Sequence, residues 1–308
     1  YYLTGQFGQS GPVFKTFLDR YPHAVRAKEA AVYIADGYRY NGDLKKALSE
    51  YKDILDTYGL DPDWYADVLS SMVRCVLAQD DWKQAMPWLE KIRVHAPDSV
   101  RRNWAATLLV TAYLKEQQLD DVYRLTPYLL HHGSFAGRSV AFNMSALEAG
   151  DALFAEELYR DSLWIYRLVY SYDTLSERCQ KHLEFLQDRA DRLRRRQGMY
   201  RQLVRTQESI GEIEAELEAI KGIEDYDEEL SYRIARAYME TRRYREARDL
   251  FLQLYEESDG DRAEESLYLA FHCAAQIKPW DQAFSIGSVY EEEYPAGAHY
   301  DPLTLTTG

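Results

Sequence analysis

The stretch AVYIADGYRYNGDLKKALSEYKDILDTYGL, from Ala31 to Leu60, constrains the fold more than any other part of the chain. Its apolar residues recur at helical spacing on either side of Asn41-Gly42-Asp43, so it reads as two short amphipathic helices joined by a tight turn. Ala35 on the first helix and Ala47 on the second stand where the helices would touch, flanked by Ile34, Tyr38, Tyr51 and Ile54. A small residue at a crossing lets two helices approach to about 8 Å, and a large one a turn away fills the groove beside it. One such pair cannot bury both of its faces, so the pattern demands neighbours.

The neighbours are in the sequence. Aligned on the small residue of the second helix, Ala47 is followed by Ala85, Val122 and Ala155 at intervals of 38, 37 and 33 residues. A strong copy resumes at Ala247, with Ala283 36 residues beyond it. Pro97 and Pro295 each close a unit twelve residues after its small residue, and Pro22 stands in the same relation to Ser10. Ala149-Gly150-Asp151 reads as the turn of the Ala155 unit. Val122 and Asn143 are larger than the pattern asks, which predicts poorer packing there.

The order of small and large residues, the Gly-Asp turn and the closing proline resemble the tetratricopeptide repeat over about 260 residues. The fold class that follows is all-α: a tetratricopeptide-like helical-repeat solenoid with a long coiled-coil-like helical insert. Its parts are N-terminal repeats over 1–173, the insert over 174–222, C-terminal repeats over 223–297 and a tail over 298–308. The endings Arg20-Tyr21-Pro22-His23 and Glu293-Tyr294-Pro295 resemble those of bacterial cell-envelope repeat proteins, in outer-membrane assembly and Tol–Pal-type systems. That resemblance implies the periplasm or cell envelope rather than the cytoplasm. A unit already under way at Tyr1 and a polar stretch from Asp301 fit a piece of a longer array.

The insert opens on Thr174-Leu175-Ser176-Glu177, a capping-box pattern. Apolar residues then follow a three-four rhythm through Leu183, Leu186, Ala190, Leu193 and Tyr200, slip near Gln207, and resume from Ile210 to Ile220. Gly198 suits the turn of a hairpin. Two features favour one continuous helix instead. The rhythm passes through Gly198, and a turn there would crowd Arg192, Arg194, Arg195 and Arg196 against Arg201 and Arg205. These six form a basic patch with two readings, a solvated helix face or a grip on phosphate or an acidic partner. The acidic run from Glu208 to Glu229 lies ready to neutralise it.

Lys plus Arg is 37 and Asp plus Glu is 51, a net charge of −14. So acidic a chain is a poor general binder of nucleic acid or anionic membrane. No apolar run approaches the ~18 residues of a membrane span. Three cysteines far apart, Cys75, Cys179 and Cys273, read as buried thiols rather than a disulfide framework. His131-His132 lacks further ligands at metal spacing, Asn143-Met144-Ser145 falls inside a helix, and Gly8-Gln9-Ser10-Gly11 has the wrong spacing for a nucleophile elbow. No cofactor, no metal and no catalytic residues are expected. In the repeat family the first helices line a concave groove that takes peptides or helices. The resemblance places Asp36, Arg39, Tyr40, Arg74, Trp104, Thr111, Lys115, Tyr232, Arg236, Tyr268 and His272 in that groove. Some members clamp a C-terminal carboxylate with Asn and Lys; here Asp36, Arg74 and Thr111 stand where Asn would be. The leading expectation is therefore a non-enzymatic scaffold for a protein or peptide partner. The alternatives are a structural subunit that forms a homo-oligomer through 174–222, and the non-catalytic helical part of a larger enzyme.

Overall fold

The computed structural model of the chain describes residues 6–131, 139–196 and 198–299. Among the described residues every regular element is a helix. In chain order they are α1 (Phe7–Arg20), α2 (Ala27–Tyr40), α3 (Leu44–Thr57), α4 (Pro62–Leu77), α5 (Trp82–His95), α6 (Ser99–Lys115) and α7 (Leu119–His131). Then come α8 (Val140–Ala155), α9 (Tyr159–Tyr166), α10 (Tyr172–Arg194) and α11 (Tyr200–Lys221). The last four are α12 (Asp227–Glu240), α13 (Tyr244–Glu257), α14 (Gly260–Ala275) and α15 (Asp281–Glu293). None is long and apolar enough to cross a membrane. His132 of the His131-His132 pair and residues 300–308 of the tail lie outside the described residues.

The chain forms two compact units: Tyr1–Phe142 with Arg178–Glu216, and Asn143–Glu177 with Leu217–Gly308. In the first, each helix from α1 to α7 packs on the next. Ala35, Ala47 and Ala85 are wholly buried at the crossings, with Tyr51, Leu89 and Ile92 wholly buried beside them. Val122 is just as buried, so the larger side chain is accommodated rather than left loose. Asp43, Asp61, Asp81 and Asp98 start α3 to α6 by accepting the backbone N–H three residues on, at 2.8–3.4 Å.

Five residues before Ala47, Ala85, Val122, Ser162 and Ala247 the backbone enters the left-handed region, at Gly42, Asp80, Gln117, Glu157 and Arg242. This fixes the register of these five units. It corrects the fourth, whose small residue is Ser162, wholly buried, and not Ala155, which is the exposed last residue of α8. Ala149-Gly150-Asp151 is helix interior, not a turn. Gly150 lies against the Tyr166 ring so closely that a Cβ would come within 2.4 Å of it. The Tyr166 hydroxyl donates to Asp151 at 2.6 Å, as the Tyr51 hydroxyl donates to Asp36. Ala35, Asp36, Ala47 and Tyr51 thus recur as Gly150, Asp151, Ser162 and Tyr166. Only one of the five left-handed residues is glycine, and an L side chain there costs about 1 kcal/mol or more. Gln117→Gly should raise the urea midpoint of the first unit, a gain of ~0.5–1 kcal/mol; no rise would mean that the Gln117 side chain compensates.

In the second unit α12 to α15 pack in succession and α9 packs on α12. Asn143 is wholly buried. Its amide donates to the Tyr170 carbonyl at 3.0 Å and to the Tyr226 hydroxyl at 2.6 Å, and accepts the Tyr170 N–H at 3.3 Å. The polar residue in a small position is therefore a satisfied tie, not a defect.

The insert departs most from expectation. It is two helices, not one. Gly198, at φ +82°, turns the chain between them. The like charges that spoke for a continuous helix are separated: Arg192 and Arg194 pair with Asp188 and Asp191 at 2.7 and 2.6 Å, while Arg201 and Arg205 face Asp67 of α4. The N-cap of α10 is Ser171, whose hydroxyl accepts the Thr174 N–H at 3.2 Å, so Thr174 sits inside the helix rather than at its cap.

Tyrosine–carboxylate bonds recur through both units, including Tyr113 to Glu90 at 2.9 Å and Tyr255 to Glu293 at 2.6 Å. Burial and then the Glu90 bond push Tyr113 up to about 12; for Tyr255 the Glu293 bond comes first, also to about 12. A folded-state pKa above that of a free phenol stabilises fully below pH ~10, and that stability is lost as pH rises through the folded value. Alkaline unfolding is therefore expected between pH ~10 and ~12, coincident with late tyrosinate absorbance. Complete ionisation of the tyrosines with the helix content intact would contradict it.

Candidate helix-binding face

The inner face of the first unit is lined by first helices α2, α4 and α6, and α11 lies on it. Arg39 of α2 pairs with Glu208, and the Tyr40 hydroxyl donates to the same carboxylate at 3.2 Å. Arg74 of α4 donates to Glu212 at 2.6 Å and stands 3.8 Å from Glu208. The Arg74 guanidinium lies 5.2 Å from the Trp104 ring of α6. Behind Arg39, Tyr51 and Asp36 continue the chain of polar contacts.

At the other end of this face is Asp67, only 4% exposed. It is ion-paired with Arg201 and Arg205 of α11 and with Arg101 of α6, the last at 3.2 Å. Arg201 also lies 3.4 Å over the Trp64 ring. The space left between α2, α4 and α11 is about 10 Å³, enough for one water at most. Beyond Glu212, Glu216 accepts the Val140 N–H.

Burial works against the Glu208 charge, yet the Arg74 and Arg39 guanidiniums outweigh it and hold its carboxyl below the usual glutamate range. Burial also works against the Arg39 cation, but Tyr51, Glu208 and Asp36 hold it protonated. Glu216 moves the other way, raised by burial and only partly offset by the Val140 N–H.

Asp36, Arg39, Tyr40, Arg74 and Trp104 thus lie together beside α11. Thr111 does not line this face: it is wholly buried, and its hydroxyl donates to the Thr107 carbonyl at 3.1 Å within α6. Lys115 is exposed at the end of α6 and reaches Asp80 at 3.4 Å. The basic patch is divided, with Arg201 and Arg205 on Asp67 and Arg195 and Arg196 exposed. Sequence reasoning missed Asp67 and Trp64. Both lie on α4 toward its start, seven and ten residues before Arg74, and extending the face of Arg74 toward Pro62 finds them.

In the second unit Tyr232 donates to Glu265 at 2.6 Å, accepts from Arg236 at 3.2 Å and lies 3.9 Å beneath Arg262. Tyr268 stacks on His299 at 4.2 Å. His272 is exposed. Among the described residues no cluster of three or more His, Cys, Asp or Glu could hold a metal ion. The three cysteines are buried, and burial pushes the Cys75 and Cys179 thiols up to about 11 and Cys273 to about 12. Such thiols are poor nucleophiles at neutral pH.

No protein-family model matches the sequence. No curated protein matches it either. Among solved structures it is similar to a tetratricopeptide repeat protein from Parabacteroides merdae ATCC 43184, at 13% identity and a TM-score of 0.41, over 87% of this chain and 93% of that one. The all-α helical-repeat fold rests on the helix pairs and their common register, not on this likeness.

Proposed function

We propose that this chain is a non-enzymatic scaffold that holds a helical segment of a partner protein along the inner faces of its repeats, in a bacterial envelope complex. One observation carries the reading: the inner face of the first unit already holds a helix, α11, through side chains of α2 and α4. The repeat register, the paired inner residues and the inert thiols support a binding rather than a catalytic role. The Tyr-Pro endings support the envelope setting. The oligomer reading loses its motive, because Arg201, Arg205, Glu208 and Glu212 find partners within their own chain.

A photo-crosslinking residue at exposed His272, on first helix α14, tests the scaffold in native cells. The expected result is a discrete crosslinked protein from His272 and none from exposed Val94 on second helix α5. Equal labelling from both positions would overturn the reading.

A further inference from the structure

α11 is held differently from α2 to α7. Those helices bury apolar side chains completely, such as Val68, Leu69 and Val73 on α4. In residues 201–216 of α11 only Thr206 is buried, and the rest are half-buried or exposed. The hold is ionic. Arg201, Arg205, Glu208 and Glu212 stand at intervals of four, three and four residues, which puts them on one helix face. Their partners are Asp67, Arg39 and Arg74. Gly198 at φ +82° precedes the helix, Gly222 follows it, and Gly211 weakens its middle. In proteins most helical stability comes from tertiary packing rather than from propensity, and α11 buries little of itself. It stays because it is tethered, and a short tether supplies an effective concentration of ~1 mM.

We infer that the inner face of the first unit is a receptor for a partner helix bearing two basic and then two acidic residues at i, i+4, i+7 and i+11, and that α11 is its resident competitor. This rests on the scaffold reading and adds the partner's chemistry and its control. Asp67 selects the basic half of the helix; Arg39 and Arg74 select the acidic half. The order of charges also fixes the direction in which the helix lies. A partner of this pattern binds only as α11 leaves, so its apparent affinity falls by the fraction of time the face is open.

The test uses the full chain and two peptides: residues 198–222, and the same peptide with Arg201 and Arg205 changed to Glu and Glu208 and Glu212 changed to Arg. The chain is compared with its Arg201→Gln, Arg205→Gln, Glu208→Gln, Glu212→Gln variant, whose α11 has lost its ionic hold. The native peptide should bind the variant at least tenfold more tightly than the wild type, and Asp67→Ala in that variant should remove the gain. The charge-exchanged peptide should bind neither. Equal affinity of the two chains for the native peptide, or equal binding of both peptides, would overturn the inference. If the variant loses its helix content, hydrogen exchange on the wild type decides. Native peptide well above ~1 mM should speed exchange across 202–216 at least tenfold and leave α10 unchanged; unchanged protection of α11 would overturn it. A specific crosslink at His272 alongside failed displacement would sink this inference alone and leave the scaffold reading standing.

Discussion

Asp67→Ala is expected to release the N-terminal half of α11 and to cost the first unit about 3 kcal/mol. The carboxylate is 4% exposed and is shared by Arg101, Arg201 and Arg205. Removing it takes the carboxylate away from Arg201 and Arg205, whereas Arg101 keeps Asp63 at 3.0 Å and Asp98 at 3.3 Å. Breaking a buried pair in this way costs ~3–5 kcal/mol. The low end applies because Arg201 and Arg205 are 26% and 30% exposed, so water recovers part of the loss. A lower urea midpoint and faster amide exchange in residues 201–208 should appear together. Asp67→Asn keeps the shape and loses the charge, and should fall between. A change below ~1 kcal/mol with α11 still protected would show that Asp67 does not hold the helix.

Gly150→Ala is expected to cost the second unit about 2 kcal/mol or more, although alanine is the better helix former by ~1 kcal/mol. The new methyl carbon would meet Tyr166 Cε1 at 2.4 Å and Cδ1 at 2.6 Å. The ring has little room to move, since it is 2% exposed and its hydroxyl is bound to Asp151. Gly211→Ala on α11 is the control. Nothing lies within 4 Å of its Cβ position, so the helix-propensity gain of up to ~1 kcal/mol should be realised. Thermal melts with the same sign for both would refute the close contact at Gly150. Adding Tyr166→Leu should rescue Gly150→Ala, because the smaller side chain makes room.

The small-large alternation made the helix pairs legible because burial at a crossing depends on side-chain size, which a sequence states directly. It misled at Ala155, where a second small residue lies in the wrong place and the true one, Ser162, is polar. The Asp36–Tyr51 spacing, repeated by Asp151 and Tyr166, was the signal that would have restored the register. Arg39, Tyr40 and Arg74 were legible as inner residues only through the resemblance, by alignment to the first helices of the repeat. Their occupant was not, because it comes from the same chain more than a hundred residues away and is recognised by charge pairs that no local pattern links. The continuous helix expected over the insert failed for the same reason. Crowding of Arg201 and Arg205 was judged against Arg192 to Arg196, while the carboxylate that relieves it sits on α4.

The position of α11 in the sequence sets an order of events during synthesis. α6 ends at Lys115 and α11 begins at Tyr200, 85 residues later. A ribosome adds ~5–20 residues each second, so the N-terminal repeats emerge roughly 4–17 s before the helix that covers them. Throughout that interval Asp67 has Arg101, and Arg39 has Asp36 and Tyr51, but all three of Asp67, Arg39 and Arg74 lack their α11 partners. On the receptor reading, a nascent chain would be most receptive before α11 is made, and adding α11 would close that window.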